Sequence, residues 1–331
     1  MRWILGFLPA LVLAVTASAL AEDFQPGVVY GIGGKYDKSF NEAAYNGAEE
    51  FKAKTGITYL EFEVNAAAQR EQALRKMARR EASIIVAVGF GLASAVETVA
   101  AEYPETKFTL IDAVVEAPNV QSIVFKEEEG SFLVGMLAAL ASETGKVGFV
   151  GGMDIPLIRK FSCGYEQGVK HVNPEIDVLV NMTGNTPEAW NDPTEGSELA
   201  RSQFDRGADV VFAAAGGTGV GVYQAAKDLE KLAIGVDSNQ NHLHPGTMLS
   251  SMVKRVDVAV REAFAAAQEG SWKPGTTVLG LAEEGVGWAL DTNNRLLITP
   301  EMEAALGTAS RKIVAGEIAV ADYSAGNSCN Y

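Results

Sequence analysis

The chain has 331 residues, of which 47% are hydrophobic, and its 42 acidic and 27 basic side chains give a formal net charge of −15 at pH 7. This length is enough for two domains of ordinary size. Such an acidic chain repels polyanions, so the charge argues against a protein that binds nucleic acid or an anionic membrane surface.

The first residues, 1–21, have the pattern of a secretory signal peptide. Arg2 precedes an apolar stretch over 4–15, which is shorter than the about 20 residues that a membrane-spanning helix needs. The sequence ALA at 19–21 is a typical cleavage site, and no cysteine directly follows it. We therefore expect a protein that is exported to the periplasm and has no direct membrane anchor.

Beyond the signal peptide, strand and helix patterns alternate along the chain. The predicted strands cover 28–32, 59–64, 83–89, 107–112, 120–125, 146–151, 177–182, 209–214, 233–236, 248–252, 276–281 and 287–290. The predicted helices cover 39–54, 67–80, 92–102, 128–142, 158–172, 193–206, 219–231, 256–268 and 300–315. This alternation is typical of an α/β protein with parallel sheets, helices on both faces and right-handed crossovers.

The pattern runs through twice, which predicts two similar lobes. The last elements are too few for a third domain, so we expect them to return and complete the first two. Lobe 1 would then consist of 24–125 and about 252–282, and lobe 2 of 126–251 and about 283–331. Several crossings between lobes form a hinge, and the cleft between the lobes is the expected binding site.

The segment 31–56 follows the first predicted strand and leads into the first helix. Ser39 is the predicted N-cap of this helix, and Glu42 completes a capping box. Phe40 and Asn41 then lie in the first helical turn, at the end of a strand, where ligands bind in open α/β sheets. An aromatic face beside an amide suits a flat polar ring. The alternative is that Phe40 fills the core and Asn41 is an ordinary first-turn residue.

Known catalytic motifs are absent from the sequence. It contains neither a G-x-S-x-G nucleophile elbow nor an H-E-x-x-H zinc motif. The glycine run at 215–221 matches no phosphate-loop pattern, and it favours close approach of the backbone to a neutral ligand. His242 and His244 have no neighbouring cysteine, so a solvated loop is favoured over a metal site. We expect a binding protein without catalytic residues, metal or cofactor.

Cys163 and Cys329 are the only two cysteines of the chain. In an exported protein an even number of cysteines suggests a disulfide, which here would join the C-terminal tail to a helix. The alternative is two separate thiols.

Polar and aromatic residues recur near the C-terminal ends of predicted strands. They are Phe40, Asn41, Asp112, Trp190, Gly216, Gly217, Asp237 and Lys254. Each has a simpler explanation as a loop cap, core filler or solvated charge. Together, the aromatics offer stacking faces, the carboxylates accept hydrogen bonds from ring N–H groups or sugar hydroxyls, and the lysine donates to a sugar oxygen. This set suits a purine nucleoside and has too little positive charge for a nucleotide phosphate.

Several segments resemble the basic membrane protein (Bmp) family, whose members include purine-nucleoside-binding lipoproteins of ABC importers. The segments are DKSFNEAAYNG (37–47), LIDA (110–113), VGFVGGMDIPLIRKFSCGYEQGVKHVNP (147–174), AWNDPTEGSELA (189–200), GADVVFAAAGGTGVGV (207–222), IGVDSNQ (234–240) and SSMVKRVDVAV (251–260). The resemblance implies a type I periplasmic-binding-protein fold, in which three crossovers form a hinge between two Rossmann-like lobes with parallel sheets.

The resemblance also implies roles for individual residues. Phe40 and Trp190 would sandwich the base of the ligand. Asn41 and Asp112 would form hydrogen bonds to the edge of that base.

Further residues are implied at the sugar and in the wall of the pocket. Asp237 and Lys254 would hold the ribose, and Gly216 would form part of the wall. Asp37 would order the turn before the first helix or touch the ligand. This chain departs from many relatives because it lacks the lipobox cysteine that anchors them.

The sequence thus predicts a periplasmic solute-binding protein of an ABC importer that closes its lobes on a purine nucleoside and presents it to the permease. One alternative is a receptor for a free purine base or another flat heterocycle, such as a flavin. Sugar-binding proteins share the fold, although they usually have more polar groups around the ring. A third alternative is an exported nucleoside hydrolase or phosphorylase that uses Asp112 or Asp237.

Overall fold

The computed structural model describes residues 24–329, so the predicted signal peptide at 1–21 lies outside the described residues. The strands are β1 (Pro26–Tyr30), β2 (Leu60–Glu63), β3 (Ile84–Val88), β4 (Lys107–Ile111), β5 (Val120–Phe125), β6 (Lys146–Met153), β7 (Asp177–Gly184), β8 (Val210–Ala214), β9 (Leu232–Asp237), β10 (Met248–Lys254), β11 (Gly275–Leu279) and β12 (Val286–Trp288). The helices are α1 (Phe40–Thr55), α2 (Arg70–Arg79), α3 (Ala93–Glu102), α4 (Glu127–Ala141), α5 (Pro156–Val172), α6 (Pro193–Asp205), α7 (Gly219–Asp228), α8 (Val256–Glu269) and α9 (Pro300–Val314). Every predicted element is present, with limits that differ by a few residues.

The strands form two sheets of six strands each. The first has the order β11-β5-β4-β3-β1-β2, and the second has the order β12-β10-β9-β8-β6-β7. The chain passes between the sheets three times, after β5, after β10 and after β11. The sheets therefore have the interleaved connectivity expected of two lobes joined by a hinge. The lobe limits, 24–125 with 252–282 and 126–251 with 283–331, stay a prediction.

The sheets are parallel, as predicted, except for one strand pair at an edge of the second sheet. There β12 runs antiparallel to β10, with Trp288 opposite Met252. The other strand pairs within the described part of the chain are parallel. Parallel pairing needs a crossover connection. The chain enters β12 directly from β11 of the other sheet, without a helix between them, and it can therefore join the edge in the opposite direction.

The start of α1 also differs from the prediction, because Asp37 caps this helix. The Asp37 carboxylate accepts hydrogen bonds from the backbone N–H groups of Ser39 (2.8 Å), Asn41 (3.0 Å) and Glu42 (3.0 Å). The Ser39 side chain makes no capping bond and instead donates to Asp237 of the second sheet at 2.5 Å. The predicted capping box was therefore wrong, because the Ser39 hydroxyl donates to the charged carboxylate of Asp237 in the other lobe.

Helices α4 and α5 pack closely against each other beside the second sheet. A Cβ at Gly135 would overlap the backbone of Tyr165, and a Cβ at Gly168 would overlap the backbone of Phe132. The absence of side chains at these glycines lets the helices approach closely. This packing brings the acidic first turn of α4 next to Lys160 of α5.

A disulfide between Cys163 and Cys329 confirms the predicted pairing. It joins α5 to the C-terminal tail, with the two Cα atoms 5.5 Å apart. The same tail is held by the amide of Gln167, which donates to the carbonyl of Ala321 (3.0 Å) and accepts from its N–H (2.8 Å). The tail is thus attached to α5 by covalent and hydrogen bonds.

Over residues 24–329, the helices are all too short or too polar to cross a membrane.

Candidate functional site

A cavity of about 280 Å³ lies between the C-terminal edges of the two sheets. Val88 at the end of β3 lines it from the first sheet, and Ala214 at the end of β8 and Val236 near the end of β9 line it from the second. This edge is where ligands bind in open α/β sheets. The volume is near the lower limit of small-molecule pockets.

All eight residues that the sequence predicted as ligand-binding line this cavity. They are Asp37, Phe40, Asn41, Asp112, Trp190, Gly216, Asp237 and Lys254. Their roles toward a ligand stay a prediction. Gly217 and the two histidines of the 241–244 loop are outside the lining.

Two carboxylates stand at strand ends in an unusual backbone conformation. Asp112 directly follows β4 with a φ of 69°, and Asp237 ends β9 with a φ of 61°. Residues other than glycine adopt such positive φ angles uncommonly, with aspartate among the more tolerant. Conformations of this kind persist where the surroundings fix them, and they cluster at binding sites.

Lys254 is the central charge of the site and is only 2% exposed. Its ammonium lies 2.7 Å from Oδ2 of Asp112 and 2.8 Å from Oε1 of Glu127. The rings of Phe40 and Phe125 lie 5.2 and 5.0 Å from the same nitrogen, within cation–π range. An ammonium has three donors, so two strong partners leave one N–H for a further acceptor.

Glu127 connects this lysine to a second one. Its Oε2 lies 2.9 Å from the ammonium of Lys160, which is also 3.3 Å from Glu128. Burial disfavours ionisation of Glu127, but Lys254 and Lys160 outweigh this effect and hold its pKa below the usual value. Burial likewise disfavours the charged form of Lys254, yet the surrounding carboxylates raise its pKa above the usual value. Glu127 and Lys254 are therefore ionised at neutral pH.

The ammonium of Lys254 also acts on the two aspartates at strand ends, Asp112 and Asp237, but it does not cancel the effect of their burial. Burial raises the pKa of Asp237 to about 6, although Lys254 and the hydroxyl of Ser39 oppose the shift. Burial also raises the pKa of Asp112, and its Oδ2 is occupied by Lys254. The other oxygen, Oδ1, is buried and has no hydrogen-bond partner among residues 24–329. Asp112 therefore offers a desolvated acceptor at the cavity wall.

Aromatic side chains form further walls. The rings of Trp190 and Phe90 lie edge to face, with centroids 6.4 Å apart. Two glycines make room for the indole, because a Cβ at Gly152 would overlap its ring and one at Gly216 would lie 3.3 Å from the Trp190 carbonyl oxygen. Phe40, at the start of α1, comes from the first lobe, as Phe90 does, whereas Trp190 comes from the second. The cavity thus has aromatic groups from both lobes.

The amide of Asn41 is already engaged. Its Oδ1 accepts from the N–H of Gly31 at 3.2 Å, and its Nδ2 donates to the Gly31 carbonyl at 3.4 Å. The side chain therefore fixes the end of β1 against α1, and it retains hydrogen-bonding capacity for a ligand because each amide atom has more than one site.

Hydrogen bonds join the lobes directly beside the cavity. Ser238 donates to the carbonyl of Ser39 at 2.9 Å, and Gln240 donates to the carbonyl of Lys38 at 2.7 Å. Together with the bond from Ser39 to Asp237, these contacts tie the start of α1 to the loop after β9. The two walls of the cavity are therefore held against each other.

Sequence reasoning missed several residues of the site. Phe90 follows the third strand, so the rule that identified Asp112 also applied to it. Arg70, Phe161 and Glu127 had no such signal, because they lie at helix starts or within helices and resemble ordinary amphipathic positions. The fold brings them to the site.

Comparison with known proteins identifies relatives along almost the whole described chain. A family model described as "ABC transporter substrate-binding protein PnrA-like" matches residues 25–323. The ABC transporter nucleoside-binding protein BmpA of Lactococcus lactis is 30% identical over 92% of this chain and 91% of its own. An uncharacterised lipoprotein of Pyrococcus abyssi is 35% identical, over 82% of this chain and 70% of its own. A crystal structure of a solute-binding protein of an ABC transporter system from Aeropyrum pernix superposes with a TM-score of 0.82 at 30% identity, covering 90% of this chain and 93% of that one.

Proposed function

The chain belongs to the PnrA-like (Bmp) family of ABC transporter substrate-binding proteins, and from this premise we propose that it binds a purine nucleoside between its two lobes. The family membership confirms the predicted family, and the two sheets confirm the predicted type I periplasmic-binding-protein fold. Members of such a family are extracytoplasmic proteins that bind a small molecule and work with a membrane permease. The identity of the small molecule is the subject of the proposal.

The buried Oδ1 of Asp112 carries the proposal. It is an acceptor without a partner among the described residues, and it lies beside the ammonium of Lys254, which has a donor to spare. An unsatisfied buried carboxylate oxygen is costly, so a ligand that donates a hydrogen bond there gains a strong charge-assisted contact. An N–H group at the edge of a purine is such a donor, and a sugar oxygen can accept the remaining N–H of Lys254.

The aromatic walls support a flat ring as the other half of the ligand. Phe40 and Phe90 come from the first lobe, Trp190 comes from the second, and the rings of Phe90 and Trp190 lie edge to face. Aromatic faces stack on purine rings and contribute stacking energy beyond the burial of apolar area. We propose that Phe40 and Trp190 enclose the base, that Asn41 and Asp112 contact its edge, and that Asp237 and Lys254 hold the ribose.

Binding would favour the state in which the lobes are in contact. The residues that hold the base and the ribose come from both sheets, so a bound nucleoside bridges the lobes and stabilises their closed arrangement. The hydrogen bonds that Ser238 and Gln240 donate to the carbonyls of 38–39, and the one that Ser39 donates to Asp237, supply part of the interface that closure forms. The closed form would then be presented to the permease in the periplasm.

A free purine base or another flat heterocycle is the main alternative ligand. It would use the same aromatic walls and leave the Lys254 end of the cavity to water. The named function of the Lactococcus lactis relative, nucleoside binding, supports the nucleoside instead.

Calorimetric titration tests the proposal. The ligand-stripped protein is titrated with adenosine, guanosine, inosine and adenine, and each mixture is then analysed by chromatography. We expect tight binding of at least one nucleoside and no conversion. Tight binding of adenine alone would favour the base receptor, and release of base and ribose would identify an enzyme.

A further inference from the structure

Arg70 is a second cation in the wall of the cavity, and it differs from Lys254 in having no counter-ion. Arg70 is half-buried at the start of α2 and lines the cavity. Within the part of the chain that the structure describes, it forms neither an ion pair nor a side-chain hydrogen bond. Arg75 of the same helix, by contrast, pairs with Glu102 at 2.6 Å. The guanidinium of Arg70 is thus free to bind a ligand.

The fold places Arg70 away from the acidic end of the cavity. Asp112 follows β4, Arg70 lies after β2, and the strands β3 and β1 separate these two in the sheet. With neighbouring strands about 4.8 Å apart, β4 and β2 are about 14 Å from each other. The Arg70 side chain returns toward β3, where a Cβ built on Gly91 would lie 3.1 Å from a guanidinium nitrogen. Arg70 therefore reaches the wall of the cavity from the side of β3, where it can meet the edge of a base that is held in the cavity.

We propose that Arg70 determines specificity by binding the O6 and N7 edge of the purine, so that the site prefers 6-oxopurine nucleosides, such as inosine and guanosine, to adenosine. This inference rests on the proposed nucleoside function. A guanidinium carries donors only, arranged in a planar fork. A 6-oxopurine presents two acceptors side by side on that edge, whereas adenine presents N7 beside an amino group, which is a donor. The guanidinium can therefore donate to both acceptors of a 6-oxopurine, whereas on adenine one of its N–H groups would face the N–H donors of the amino group.

The alternative use of a free guanidinium is to bind a phosphate. The charges around the cavity oppose this use. The carboxylates of Asp37, Asp112 and Asp237 outnumber the cations Lys254 and Arg70 in the lining. A phosphate dianion would meet a net negative wall, while a neutral carbonyl oxygen would not.

The test compares ligands that share the ribose and differ at position 6. Wild-type protein, Arg70→Gln and the control Arg80→Gln are titrated calorimetrically with inosine, adenosine, purine riboside and inosine 5′-monophosphate. Arg80 ends the α2 region and is exposed outside the cavity, so its replacement controls for the loss of one positive charge. We expect wild type and Arg80→Gln to bind inosine about tenfold or more tightly than adenosine and purine riboside.

Arg70→Gln should remove or reverse this preference, because a carboxamide pairs with the N6 and N7 atoms of adenine. Its retained binding of adenosine shows that the variant is folded. Equal affinity of wild type for inosine and adenosine, or an equal loss for all ligands in Arg70→Gln, would overturn the specificity role and leave the nucleoside function in place. Tighter binding of inosine 5′-monophosphate than of inosine would assign Arg70 to phosphate and also overturn it. Failure of wild type to bind any of the nucleosides would instead contradict the proposed function itself.

Discussion

The ammonium of Lys254 lies 2.7 Å from Oδ2 of Asp112, and the two residues belong to different sheets. Lys254 ends β10 of the second sheet, and Asp112 follows β4 of the first. Their side chains are only 2% and 5% exposed. A buried ion pair of this kind joins the two lobes at the wall of the cavity, so a ligand that contacts either partner also acts on the contact between the lobes.

Replacing Lys254 should destabilise the protein strongly. Lys254→Met leaves the buried carboxylates of Asp112 and Glu127 without their shared cation. Breaking a buried pair in this way typically costs about 3–5 kcal/mol. The free energy of unfolding is measured by chemical denaturation, with Lys54→Met as control, since Lys54 forms an exposed pair with Glu50 that is worth about 1 kcal/mol or less. Equal, small effects of the two variants would show that the cluster is not held together by Lys254.

Asp237 should make the stability of the ligand-free protein depend on pH. Its pKa is raised to about 6 from an ordinary value of 3.8, so the folded protein holds this proton more tightly than the unfolded chain. The stabilising contribution of the protonated group is complete below about pH 4 and is lost as the pH rises through about 6. Asp237→Asn removes this titration and should gain stability relative to wild type between pH 4.5 and 7.5. A difference between the two proteins that is the same at both pH values would contradict the assignment.

Trp190 should contribute directly to affinity. Trp190→Ala removes a stacking face and is expected to weaken nucleoside binding by a few kcal/mol, as is typical of a buried aromatic at a binding site. Gly152→Ala should also weaken binding, because its methyl group would overlap the indole and displace it. Trp272→Phe is the control, since Trp272 lies outside the cavity. Unchanged affinity in titrations of Trp190→Ala would remove this residue from the site.

The disulfide should add substantially to stability. Cys163 and Cys329 close a loop of 166 residues, and the loss of chain entropy in the unfolded state corresponds to about 4–5 kcal/mol. The double variant Cys163→Ala/Cys329→Ala is expected to unfold at lower denaturant concentration than the oxidised wild type. Reduced wild type should behave like the variant. If reduction leaves the unfolding midpoint unchanged, the tail does not constrain the unfolded chain.

The order of elements and the residues at strand ends could be predicted from the sequence because both follow from local patterns. Alternating apolar runs and helical spacing identified every strand and helix. The C-terminal edge of a parallel sheet collects the residues that follow each strand, which is why Asp112, Trp190 and Asp237 share one cavity.

The remaining features depend on how distant segments meet. The bond between Lys254 and Asp112 spans 142 residues and requires the relative position of two sheets. Ser39 has the sequence environment of an N-cap, yet its hydroxyl bonds Asp237 of the other lobe while Asp37 caps the helix. Glu127 begins α4 like any acidic first-turn residue, and only the close packing of α5 brings Lys160 to it.

The structure of crystals grown with guanosine would show directly whether a nucleoside binds between the lobes. We predict that the purine lies between Phe40 and Trp190 and that sugar hydroxyls lie about 3 Å from Lys254 and Asp237, at hydrogen-bond distance. Density for the nucleoside outside the cavity between the two sheets, or a cavity that stays without it at saturating concentration, would contradict the proposed binding site.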